Sequence, residues 1–318
     1  MDTEQPLRLH LPPGRSPPRR SGLISAVLAL AVFGGAWVPA SALEYGPLPE
    51  RLEDATEGIE RTPLDAEPIR LDSDQDNDTV MVQVDAILEH PFHQVSQEFR
   101  SAAVWCESLF LHINVKACVH HGDGERSGIE LYISRKGFQR PENAYRVGLD
   151  FRVQISEEDY LAVKLAGDRG PYGIRDYRMT LEAVPLDPER TLIHVRHAVD
   201  YGALARGFLN LYLRFGGGDR VGFTVVGEDN AGRPIYVDGL QGVIERNVMR
   251  FYLAFQAYLE SLEVAEEDRL AFRMARWFDL TERYPEQLRE LDENTYLRQK
   301  EMEWREQESL QVQRDDRN

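Results

Sequence analysis

The sequence predicts an α+β protein: an antiparallel sheet of about seven strands, two short helices after the first strand, and a long helix near the C-terminus lying on the sheet. Three observations carry that reading. Leu240–Leu262 sets Ile244, Val248, Phe251, Tyr252, Phe255, Leu259 and Leu262 in one continuous helical stripe, with Arg246 and Arg250 pointing away from it. Ala144–Ile155 alternates cleanly, with Tyr145, Val147, Leu149, Phe151, Val153 and Ile155 on one side and Arg146, Asp150, Arg152 and Gln154 on the other. A sheet with one dry face and one wet face is antiparallel, because parallel strands are buried on both faces.

The 318 residues allow one or two domains, and 42% hydrophobic residues are enough for a sizeable core. The net charge of −17 is large for this size. An acidic surface repels phosphate backbones and anionic headgroups, so no nucleic-acid partner is expected. The two cysteines form no CxxC pair, which removes a thiolate metal site.

Residues 1–42 read as a signal peptide. Arg8, Arg15, Arg19 and Arg20 precede the apolar run Leu23–Val38, and Ala40-Ser41-Ala42 follows it. The run is short for a membrane span and contains Gly34 and Gly35, so cleavage near Ala42 and a periplasmic or secreted mature chain are expected. Residues 43–78 are poor in large apolar side chains and rich in Glu, Asp and Pro, the composition of a disordered acidic linker. Asp72, Asp74, Asp76 and Asp78 alternate as calcium-loop ligands do. The glycine required at the sixth position is missing, and Gln83 or Asp85 replaces the bidentate Glu, so a solvated spacer is expected.

The folded body then runs from residue 79 to 263. Thr79–Ala86 is the first strand, and Pro91 opens helical periodicity through Val95, Phe99, Ala103, Cys106 and Phe110. Strands follow at Ile113–Val119, Gly128–Ser134, Ala144–Ile155, Tyr160–Ala166, Ile174–Val184 and Thr191–Val199, separated by turn signals such as Leu186–Arg190. Ala203–Phe215 is apolar and reads as helical or buried, Gly216–Gly218 as a hinge, and Val221–Val226 with Ile235–Val237 as a hairpin. Residues 264–318 comprise an amphipathic helix carrying Leu270, Met274, Trp277 and Phe278, then a charged tail that is either a solvated helix or disordered.

The order of one strand, two short helices, about six strands and a long aromatic helix resembles the START-related helix-grip superfamily. This is the lipid-transfer and polyketide-cyclase-like group that includes the major birch pollen allergen. The resemblance covers about Thr79–Leu262. It rests on Glu89–Val95 (EHPFHQV), the strands between Asp150 and Thr191, and Gly242–Leu253 (GVIERNVMRFYL). It implies a strongly curved sheet gripping the last helix, with a long apolar cavity between them that holds a lipid or another hydrophobic small molecule. The inward residues that would line it are Tyr145, Val147, Leu149 and Phe151 on one strand, Tyr177 and Met179 on a second, and Val195 and His197 on a third. Val248, Tyr252, Phe255 and Leu259 would face them from the helix. The family has no universal catalytic residues, and this chain departs from it by the 203–239 insertion and the charged tail.

Outside that cavity, His90, His93, His120 and His121 read as surface residues, because no carboxylate stands at metal-ligand spacing; no metal and no cofactor are expected. His197 shares strand parity with Val195 and Val199 and points inward, as a satisfied core histidine or as a contact for a ligand head group. Glu245 and Asn247 border the helical stripe and are expected to bond the rim of the sheet. Export favours a Cys106–Cys118 disulfide, whereas the parity of Cys118 with Asn114 and Lys116 opposes it; the sequence leaves the bridge open. Three functions fit: a carrier or sensor of a hydrophobic ligand, a cyclase- or hydrolase-like enzyme using the same cavity, or an interaction protein docking a partner through Arg273–Asn318. Hydrolytic or cyclase chemistry would be marked by an inward carboxylate beside His197.

Overall fold

In a computed structural model of the chain, residues 47–61, 64, 67–76, 78–122, 126–202 and 220–316 are described. The expectations for residues 1–42 and 203–218 lie outside them.

The alternating segments form β2 (Thr79–Leu88), β3 (Val115–His121), β4 (Arg126–Ile133), β5 (Tyr145–Ser156), β6 (Leu161–Arg169), β7 (Ile174–Pro185) and β8 (Thr191–Tyr201). An eighth strand, β1 (Ile69–Asp76), joins them, giving one antiparallel, curved sheet ordered β1-β2-β8-β7-β6-β5-β4-β3. Two short helices, α2 (Phe92–Phe99) and α3 (Ala102–Leu109), follow β2, and the long helix α4 (Gly239–Glu260) lies on the inner face. This is the helix-grip order, with β1 added at one edge. β9 (Val225–Glu228) and β10 (Pro234–Tyr236) make the expected hairpin as a separate two-stranded sheet.

Residues 43–78 are not a disordered linker where they are described. A 3-10 turn at Leu48–Arg51 and α1 (Leu52–Arg61) pack Leu48, Ala55 and Ile59 against Val184 and Leu192 on the outer face of the sheet. The outer face is therefore dry at the start of β8, where Thr191 to Val195 are all buried. Under this cover Asp85 meets His194 at 2.8 Å, and Leu48 donates its N–H to Glu182. Few apolar residues suffice because three of them, at helical spacing, meet a sheet patch already paired on all sides. The aspartate run is strand β1, with Asp72, Asp74 and Asp76 exposed along the sheet edge. A strand carries them out along an edge rather than around an ion, and their charge discourages a further strand from pairing there.

The tail corrects a second expectation. After α5 (Arg269–Glu282) and the short α6 (Pro285–Leu288), α7 (Glu293–Asp315) packs on β3, the opposite edge strand. Lys300 donates to Val115 O, Gln307 accepts from the Cys118 N–H, and Gln311 both accepts from the His120 N–H and donates to His120 O. Positions 300, 307 and 311 share one helical face, so a helix with little apolar surface docks by completing an unpaired strand edge. Lys116, Lys300 and Glu303 are buried together, at 3.0 and 2.9 Å from amine to carboxylate. Burial pulls both amines down, Lys300 to about 8, against the opposing pull of Glu303. His120 and His121 are half-buried beneath this helix rather than free on the surface, with His121 bonded to Arg314.

The back of α4 is buried too. Arg246 donates to the carbonyls of Arg220 and Val221, and Arg250 to Leu288 O and Glu290, because α5, α6 and the 220–223 segment cover the face that the stripe leaves free. Gly46–Asn318 is one compact unit.

Candidate functional site

The inner face of the sheet holds the predicted site residues, and the structure divides them into two groups. In the centre, Phe151, Val195, Val248, Phe255 and Leu259 have no exposure at all, which leaves no water-sized space beside them. The two short helices fill the grip: Trp105 of α3 meets Phe255 at 4.8 Å and Phe151 at 5.9 Å, and Phe99 of α2 meets Phe255 at 5.0 Å between ring centroids. The long apolar cavity expected there is occupied by the protein's own aromatic rings. Tyr252 is buried as well, and burial, reinforced by nearby Tyr284 and Glu67, raises its hydroxyl pKa. No spacing in the sequence signals that Trp105 and Phe99 reach the stripe, because that contact depends on how the two helices cross the sheet.

The second group gathers at the end of the inner face where β5 and β7 start and β8 ends. From rim to interior come Tyr145, 44% exposed, then the half-buried Tyr177, then Leu149 at 9%, Met179 at 6% and His197 at 5%, with Val147 beside them. His197 is flanked in register by Val82 of β2 and Met179 of β7, and the Tyr177 ring stands 5.9 Å from its own. Its Nδ1 is buried and has no hydrogen-bond partner among the described residues. Burial alone brings its pKa down to about 4, so the ring is neutral near pH 7. Burial also raises the Tyr177 phenol, reinforced by nearby Tyr145. Tyr145 belongs to this end but stands at its exposed rim rather than inside.

Glu245 lies at the edge of the same helix and bonds the rim, as expected. Its carboxylate accepts from Ser73 Oγ of β1, from Thr224 Oγ1 at 2.7 Å and from the Phe223 and Thr224 N–H groups. Gly222 allows that approach, since a Cβ there would stand 2.3 Å from a Glu245 oxygen. Asn247 instead turns inward and meets His112 Nε2 at 3.2 Å. Burial, with Arg250 nearby, holds His112 well below its usual range.

Cys106 and Cys118 are disulfide-bonded, with Cα atoms 5.0 Å apart, linking α3 to β3. The parity argument against the bridge fails at a β-bulge. Val115 pairs with Ile133 but Ala117 with Tyr132, so one extra residue turns Cys118 onto the inner face.

At the opposite end, a recess of about 580 Å³ opens between the α2–α3 elbow and the sheet. Gln97, Arg100, Ser101, His120, Ser127 and Ser156 line it together with Ala102, Ala103, Gly122 and Val153. Among the described residues, no group of three or more His, Cys, Asp or Glu side chains is placed to hold a metal, and no helix is long and apolar enough to cross a membrane.

Strand order, the two intervening helices and the gripped C-terminal helix define a helix-grip fold. No protein-family model matches the sequence, and no curated protein matches it. Among solved structures it is similar in outline to a conserved protein from Geobacillus kaustophilus (11% identity over 58% of this chain and 95% of that one, TM-score 0.36). Similar too are an aromatase/cyclase from a Streptomyces species (12%, 43% and 85%, TM-score 0.33) and norcoclaurine synthase from Thalictrum flavum (12%, 42% and 76%, TM-score 0.32). At these scores the likeness transfers no residue role to this chain.

Proposed function

We propose that the protein is an exported binding protein that takes a small hydrophobic ligand on the inner face of the grip, at the end marked by Tyr145, Tyr177 and His197, and performs no reaction on it. The observation that carries this reading is the unpartnered Nδ1 of His197, buried among apolar neighbours. A buried polar group without a partner costs about 1–3 kcal/mol, and a ligand atom bonded there removes that cost. The graded exposure from Tyr145 inward supports entry from this end, with the Tyr177 ring moving aside. The packed centre limits the ligand to a short chain rather than a full lipid.

Export is supported by the Leu23–Val38 run with its small residues at 40–42, and by the Cys106–Cys118 bridge, since such bonds persist mainly outside the cytosol. The cyclase- or hydrolase-like alternative lacks its marker, because among the described residues no carboxylate bonds His197. The partner-docking alternative is not favoured either, since the inward face of α7 is engaged with β3.

The test is native mass spectrometry of protein secreted by its own host, followed by solvent extraction of what it carries. A bound apolar molecule and an amino terminus at Leu43 are expected. Ligand-free protein that also fails to bind an uncharged fluorescent probe refutes the binding function; mature protein retaining Met1–Arg20 refutes export.

A further inference from the structure

We infer that the His197 end of the grip selects uncharged amphiphiles, with a hydroxyl or carbonyl group bonded to the imidazole, over fatty acids and alkylammonium ions of the same chain length. The inference rests on the binding function proposed above and narrows its ligand class.

Among the described residues, no countercharge bonds His197. His197 faces Val82 and Met179 across its two neighbouring strands and the Tyr177 ring along the inner face. No charged side chain among the described residues hydrogen-bonds it, and nothing but burial displaces its titration. Glu245, the buried carboxylate nearest the rim on α4, is already saturated by donors from Ser73, Phe223 and Thr224 and has no capacity left for a ligand cation. Arg178 is turned to the opposite face, where it pairs with Asp176 and Asp200. Arg246 points its guanidinium at the Arg220 and Val221 carbonyls.

A carboxylate or ammonium group entering beside His197 would be desolvated with no opposite charge among the described residues bonded to that ring. A hydroxyl loses far less on leaving water. It donates to an unprotonated ring nitrogen or accepts from a protonated one, so it suits either tautomer of the neutral ring. Met179 beside the imidazole is unbranched and fits a chain of variable contour.

The experiment is calorimetric titration of the mature full-length protein, freed of bound ligand, with 1-decanol, decanoate and decylammonium near neutral pH. Decanol is expected to bind about tenfold or more tightly than either ion. His197→Leu should remove that preference by weakening decanol. His197→Gln, which keeps an uncharged donor and acceptor, should retain it, and melting curves establish that both variants fold. Equal affinities, tighter binding of either ion, or wild-type decanol affinity in His197→Leu overturns the selectivity and leaves the binding function standing. No binding of any of the three overturns both.

Discussion

Replacing His197 by Phe should make the protein markedly less sensitive to acid. The imidazole titrates at about 4 in the folded chain, against about 6.5 for a free histidine. Between those values the unfolded chain binds more protons than the folded one. Stability from this residue is therefore fully present above about pH 6.5 and is lost as pH falls through 4. Integrating from about pH 7.5 to 4.5 gives a loss of about 2.5 kcal/mol from His197 alone. His112 is buried and depressed in the same direction, so it contributes a loss of the same sign to both proteins, and their difference isolates His197. Urea unfolding of wild type and His197→Phe at the two pH values measures that difference. At neutral pH the variant should be at least as stable, since it removes an unpartnered buried polar atom from beside Val82 and Met179. If both proteins lose the same stability on acidification, His197 is not buried uncharged in the folded state.

Ala183 is fully buried on the inner face between Leu161 and Ile193, so Ala183→Phe should cost about 1–3 kcal/mol by overpacking and lower the melting temperature; an unchanged melting point would reveal unfilled space there. Removing the Cys106–Cys118 bridge, with its sequence separation of 12, should cost about 3 kcal/mol by loop-closure entropy. Alkylation before and after reduction checks that the bridge exists, and two thiols that alkylate freely in native protein would rule it out. Glu303→Gln leaves Lys116 and Lys300 buried without their carboxylate and should cost about 3–5 kcal/mol in chemical denaturation; a loss within experimental error would mean that the lysines find water instead.

The strands were legible because their inner positions repeat every second residue, and α4 because its stripe repeats at helical spacing. What escaped was whatever depends on a neighbour distant in sequence. α1 has few apolar residues, and it folds because Leu48, Ala55 and Ile59 meet Val184 and Leu192, more than a hundred residues away. α7 has almost no apolar stripe, and its docking is written in Lys300, Gln307 and Gln311, whose partners are backbone atoms of β3 that carry no sequence signal. Strand parity placed Val147, Leu149, Phe151, Met179 and Val195 on the face that the core buries. Parity does not reveal that Trp105 and Phe99 fill the middle of that face and confine any open space to its ends. At Cys118 parity pointed the wrong way, since a single bulge residue reverses every position after it.

The seal on β3 also sets an order of events. Residues 115–121 and their strand partners leave the ribosome long before Lys300, Gln307 and Gln311 exist. The free edge of the sheet therefore waits, unpaired, for Glu293–Asp315 to arrive. During that interval a truncated or stalled chain presents a bare strand to its neighbours, the condition under which sheets join edge to edge. A chain cut short before α7 would leave the β3 border of its sheet uncovered, whereas the β1 border keeps its exposed aspartates throughout.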